Sequence, residues 1–227
     1  MLIGFSQAKQ DVYLMQMENI RETFADIDIY LFDQIQKGRF SIGMRILDAG
    51  CGGGRNINWF MKNGFDVFAI DIGESIIRNI RELAKVLAPG LAADNFQVAT
   101  LGAIPFPERS FDWIICNTVL HFARDKAEFD QWLDEMWSKL KPGGNFFARL
   151  ASSIGIKDRL VPTTDGRYMM PDGTERFIVD EQMLKDATER IGGHFIEPIK
   201  TTNVENLRCM TTWVISKDAG PTGRSNT

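Results

Sequence analysis

The stretch ILDAGCGGGRN, Ile46–Asn56, narrows the possible folds more than any other part of the chain. An apolar run of strand length meets Asp48 and then opens into glycines at Gly50, Gly52 and Gly54. A strand that breaks into bare backbone before a helix is how open α/β folds bring main chain against a ligand. Two common versions are excluded by spacing. The dinucleotide pattern G-x-G-x-x-G needs its third glycine at position 55, where Arg55 stands and would obstruct helix–strand contact. A P-loop needs Gly-Lys-Ser/Thr, which does not follow.

The acids narrow the ligand further. Asp48 at the mouth of the first strand repels phosphate and attracts a cation. Asp71 ends the second apolar run, where a carboxylate can accept both hydroxyls of a ribose. The ligand implied is a nucleoside with a ribose and a positive group but no pyrophosphate. S-adenosyl-L-methionine, with its ammonium and sulfonium, fits that description, and S-adenosyl-L-homocysteine would be the product.

Beyond the glycines, strand and helix patterns alternate. Expected strands are Arg45–Ala49, Asp66–Ile70, Phe96–Ala99, Asp112–Cys116 and Asn145–Leu150. Expected helices are Asn56–Asn63, closed by Gly64, and Glu74–Ala88, with Ile76, Ile77, Ile80, Leu83 and Leu87 on one face. A third helix starts at Asp125, with Glu128 three residues on as in a capping box, and ends at KPGG. Helical spacing also runs over Gln10–Lys37. Near the end, GRYMMPDGTERFIV reads as a hairpin turning at Pro171-Asp172-Gly173. It is followed by a helix over Asp180–Ile191 and strands over Phe195–Thr202 and Arg208–Lys217. This predicts an α/β fold of Rossmann type: a doubly wound, seven-stranded, mostly parallel sheet with an antiparallel final strand, N-terminal helices and an inserted hairpin.

Composition excludes other classes. The net charge of −4 carries no basic footprint, so no nucleic-acid partner is expected. Cys51, Cys116 and Cys209 are scattered and only two histidines, His121 and His194, are present, so no metal site is expected. No apolar stretch spans a membrane and no signal-peptide pattern opens the chain, so the protein is expected to be soluble and cytoplasmic. Its oligomeric state is not readable.

Four segments in order, ILDAGCGGG, FDVFAIDIGESII, LGAIPFPERSFDWIICNTVLHF and LKPGGNFFARL, resemble the successive motifs of class I S-adenosylmethionine-dependent methyltransferases over about Arg45 to Leu150. GCGGGRN with NGFDVFAID is also similar to tellurite-resistance-type methyltransferases. The resemblance implies an enzyme transferring a methyl group by in-line displacement. By position it places Asp48, Gly50, Cys51 and Gly52 around the methionine part, Asp71 on the ribose and Ile72 beside the adenine. In ATLGAIPFP, Thr100 stands where the family usually has an acid, so Thr100 and the Leu101 N–H are expected to meet the adenine. Asn117 is expected near the methionine, facing the acceptor.

A small-molecule acceptor is expected, with a macromolecular acceptor or a non-catalytic binding module as alternatives. His121, beyond the fourth strand, is the candidate general base. Candidate substrate residues are Tyr30, Arg149, Arg167, Tyr168 and Arg208, with the hairpin as a lid. Trp132 is read as core packing. The domain division is an N-terminal cap over 1–44, a cofactor-binding domain over 45–217 with a lid-like insert at 151–180, and a disordered tail over 218–227.

Overall fold

The computed structural model describes residues 23–219. Helices are α1 (Ile29–Gln36), α2 (Asn58–Lys62), α3 (Glu74–Leu87), α4 (Lys126–Lys139) and α5 (Glu181–Arg190). Strands are β1 (Arg45–Ala49), β2 (Asp66–Asp71), β3 (Phe96–Val98), β4 (Phe111–Asn117), β5 (Leu140–Ala151), β6 (Val161–Pro162), β7 (Arg167–Met169), β8 (Glu175–Phe177), β9 (Gly193–Phe195), β10 (Lys200–Val204) and β11 (Arg208–Lys217).

The main sheet runs β10-β11-β5-β4-β1-β2-β3, with β9 also paired to β11. β1 lies parallel to β2 and β4, as do β3 to β2 and β5 to β4, whereas β11 is antiparallel to its neighbours. The expected α/β architecture with one antiparallel edge is present. Period-two alternation divides the sheet's apolar residues between two faces. Leu47, Phe68, Ile114, Phe146 and Trp213 pack beneath α4 and α5. Ile46, Val67, Trp113, Phe147 and Val214 pack beneath α1, α2 and α3. Covering both faces explains why β1 is buried along nearly its whole length.

Leaving β1, the chain builds β2 and β3 on one side and then returns to add β4 on the other. The C-terminal ends of β1 and β4 therefore flank a topological switch point, the usual ligand crevice of such sheets.

Several boundaries differ from the sequence expectation. Asp28 breaks the expected long N-terminal helix by accepting from the Tyr30 and Leu31 N–H groups as the N-cap of α1; the portion over 10–22 lies outside the described residues. KPGG is not a loop before β5 but part of it, a register irregularity opposite Phe111–Trp113 with Gly143 at φ +77°. The expected strand Phe195–Thr202 is split into β9 and β10 around Pro198, which has no N–H for the ladder. There Glu197 turns inward to Lys37, Arg39 and Lys200. The hairpin gains a third strand, β6, alongside β7. The tail beyond Ala219 lies outside the described residues.

Candidate active site

The glycine turn after β1 is fastened to β2, because the Gly50 and Cys51 N–H groups both donate to the Ile70 carbonyl. Gly50 sits at φ +84°, and a Cβ there would lie 2.5 Å from Val119 Cγ2, so only glycine lets the turn after β4 approach. Gly54, at φ +77°, does the same for α3: a Cβ would lie 2.6 Å from Ile80 Cδ1. Gly54 thus performs the close packing that dinucleotide sites assign one position later, which frees Arg55 to point elsewhere.

Asp71 holds the crevice together from the β2 side. One carboxylate oxygen accepts from the Gly52 N–H at 3.0 Å and the other from the Gly73 N–H at 3.0 Å. Each oxygen keeps a lone pair. Gly50, Asp71, Ile72, Thr100, Leu101 and Asn117 line one cleft of about 400 Å³, joined by Val119, Phe122 and Trp132. Ile72 and Phe122 expose 75% and 52% of their surfaces at it, giving two open apolar faces.

Asp48 lies beneath the turn, 1% exposed, and neither carboxylate oxygen has a hydrogen-bond partner among the described residues. Burial pushes its pKa up to about 7, with the Arg55 charge opposing the rise and the Asp71 charge adding to it. The Asn117 Nδ2 is likewise buried and unpaired. Buried polar atoms are normally paired, so these orphans mark a place where a bound group completes the structure. Burial, with the charges of Asp48 and Asp71, pushes the Cys51 thiol up, as suits a packing residue.

A polar cluster outside the glycine turn escaped the sequence reading. Asp28 accepts from Arg149 Nη1 at 2.9 Å and lies 3.8 Å from Arg55 Nη2. Arg55 also reaches the Asp26 carbonyl and Asn117 Oδ1. The Arg149 guanidinium stands 5.2 Å over the Tyr30 ring, and the Tyr30 hydroxyl meets Thr202 Oγ1 at 2.5 Å. Two of the expected substrate residues, Tyr30 and Arg149, are therefore in contact. Asp28 and Arg55 join them through separations of up to 121 residues, which no local pattern reveals.

Residues 47–148 match the model of a methyltransferase domain. Over that stretch the chain is similar to methyltransferase domains. The malonyl-[acyl-carrier protein] O-methyltransferase of Enterobacter lignolyticus is 30% identical over 100 residues, which cover 44% of this chain and 36% of that one. The ubiquinone biosynthesis O-methyltransferase of Mesorhizobium japonicum is 27% identical over 78% of this chain and 69% of its own length. The chain thus spans about a third of the first relative and about two thirds of the second. In fold it is similar to the 1,6-didemethyltoxoflavin-N1-methyltransferase of Burkholderia thailandensis, solved with bound S-adenosylhomocysteine. The TM-score is 0.64 at 15% identity, over 96% of this chain and 93% of that one.

The residues of the matched stretch fit S-adenosylmethionine. Asp48 offers a buried anion beneath the turn, Asp71 keeps lone pairs, and the cleft that Asp71 lines has apolar walls, while Asp48, Cys51 and Gly52 are not among the residues lining it. Trp132, expected only as packing, lines that cleft from α4.

His121 does not suit the role of general base. It is 5% exposed, its Nδ1 accepts from the Ala151 N–H at 3.3 Å, and burial, with the nearby Arg176 charge, lowers its pKa to about 4. The neutral ring then carries its proton on Nε2 and is a donor there.

The hairpin is pinned in place and does not stand free. Arg167 Nη1 donates to the Ala123 carbonyl at 2.6 Å and a second nitrogen pairs with Glu175, while Arg176 lies 4.8 Å over the Phe122 ring. Arg167 is thereby committed to the fold. Tyr168 lines a separate cavity of about 790 Å³, and Arg208 is exposed opposite Val204. These three residues do not join Tyr30 and Arg149.

Proposed function

We propose that this protein transfers a methyl group from S-adenosylmethionine to a small-molecule acceptor. The observation that carries the reading is the Asp48 carboxylate, buried and unpaired at the end of β1. The cofactor supplies a methyl group already activated on a sulfonium, so the chain's work is positioning and exclusion of water. Asp48 holds the ammonium, with Gly50, Cys51 and Gly52 around it. Asp71 accepts the ribose hydroxyls with the lone pairs its backbone contacts leave free. Ile72, Phe122 and Trp132 wall the adenine, with Thr100 and the Leu101 N–H at its edge. Asn117 stands between cofactor and acceptor. His121 orients a group by donating from Nε2. Residues 45–217 form the catalytic unit, the 151–180 insert is a fixed wall beside the cleft, and 1–44 closes the acceptor side.

The names of the ubiquinone-biosynthesis relative and of the toxoflavin-type enzyme support a small acceptor, and the acidic net charge of −4 disfavours nucleic acid. A labelled-methyl screen tests this. The expected result is turnover on a small organic acceptor and none on tRNA or on a protein mixture. Turnover on macromolecules alone would overturn the reading.

A further inference from the structure

Asn117, Arg149 and Thr212 occupy one row across β4, β5 and β11, for Arg149 is the direct Cα partner of both the others. Residues directly opposite on neighbouring strands project from the same face. Each of the three carries a buried polar atom without a partner among the described residues: Asn117 Nδ2, Arg149 Nε and Thr212 Oγ1. Asn117 and Thr212 are 4% and 2% exposed. Asn117 lines the cofactor cleft, so the row begins at the cleft and runs away from it.

The chemistry of the row is one-sided. An Arg Nε and an Asn Nδ2 are donors only, and a Thr hydroxyl can donate. The Asn117 Oδ1 already accepts from Arg55. The Asp28 carboxylate lies between two guanidiniums, those of Arg149 and Arg55, which leaves the cluster net positive. Unpaired donors in a positive setting call for an anionic oxygen ligand.

We infer that the methyl acceptor carries a carboxylate-class anion, bound across Arg149 Nε and Thr212 Oγ1 while its reacting atom lies at Asn117. This rests on the small-molecule reading above. The two oxygens of one carboxylate suit donors on adjacent strands. The cofactor's own carboxylate does not reach them. Its ammonium belongs with Asp48 on β1, and β5 lies two strands away across β4, roughly 10 Å. The same spacing places the anion roughly 5–10 Å from the reacting atom, the span of a substituted benzoate.

The test uses benzoate and its neutral analogue benzamide on protein saturated with S-adenosylhomocysteine, read by calorimetry. Benzoate is expected to bind at least ~10-fold more tightly than benzamide, because its contacts are charge-assisted. Arg149→Gln is expected to weaken benzoate about 10-fold or more and to leave S-adenosylhomocysteine affinity within about 3-fold. Because Arg149 also pairs with Asp28, Thr212→Val is the second variant. It removes an unpaired hydroxyl, so the melting temperature should hold or rise while benzoate weakens about 5-fold. Equal binding of benzoate and benzamide would overturn the inference. So would a Thr212→Val variant with unchanged benzoate affinity, or an Arg149→Gln variant that loses S-adenosylhomocysteine as strongly as benzoate. If benzoate fails to bind while labelled methyl passes to neutral or cationic small acceptors, the anion is wrong and the small-molecule reading stands. If turnover occurs only on macromolecules, the small-molecule reading itself fails.

Discussion

Asp48 and Asp28 are two buried aspartates, 1% and 2% exposed, at the same end of the sheet, and they are held in opposite ways. Asp28 is saturated: it caps α1 through the Tyr30 and Leu31 N–H groups and pairs with Arg149. Asp48 has no partner on either oxygen among the described residues. A buried charge that is capped and paired belongs to the fold, whereas one left bare costs the free protein stability that only a ligand restores. The contrast separates the two walls of the crevice. The β1–β2 wall is built by backbone turns and is the one proposed above to hold the cofactor. The α1–β5 wall is a side-chain network closed on itself, with unpaired donors only along its inner row.

The largest effect should come from Asp28. Replacing it with alanine removes the helix cap and leaves the Arg149 guanidinium without its carboxylate, at an expected cost of about 3–5 kcal/mol in unfolding free energy. Chemical denaturation checks this; a loss below about 1 kcal/mol would make Asp28 no more structural than a surface acid and erase the contrast.

His121 should show the smallest effect. With burial holding its pKa near 4, it stays neutral at working pH, so its ionisation should leave no limb in the rate profile between about pH 5.5 and 8. His121→Gln keeps a donor and should lower turnover less than ~10-fold, below the range expected of a lost general base. A limb near pH 6.5 that vanishes in the variant would restore the base.

What the sequence made legible follows the same division. The bounds of β1 and β11, the cap Asp125, the helix following Asp180 and the hairpin turn at Gly173 are written in neighbouring residues, and so were readable. The glycine turn was readable for a related reason: Gly50 and Asp71 act through backbone geometry close in sequence to their strands. Arg55 was misread as an obstacle because its partners, Asp26, Asp28 and Asn117, come from distant elements. The expectation for His121 rested on an ordinary histidine pKa, which burial lowers. KPGG was misread because a strand can absorb a Pro-Gly-Gly bulge when its neighbour shifts register opposite it.

The central claim, that Asp48 is left bare for the cofactor's ammonium, is tested most directly by counting protons released when S-adenosylhomocysteine binds, using calorimetry in buffers of differing ionisation heat. In the free protein the Asp48 pKa is pushed up to about 7 from an ordinary 3.8. The folded state therefore binds more protons than the unfolded chain between those values, and stability falls as pH rises across that window. An ammonium beside the carboxylate favours the ionised form, so binding must drive the proton off. Release of roughly three quarters of a proton per site is expected at pH 6.5, fading to almost none by about pH 8.5. In Asp48→Asn the release should vanish, the affinity should fall about 10- to 100-fold, and the free protein at pH 8 should be more stable than the parent. Binding without proton release near pH 6.5, together with an Asp48→Asn variant that holds S-adenosylhomocysteine as tightly as the parent, would contradict the account.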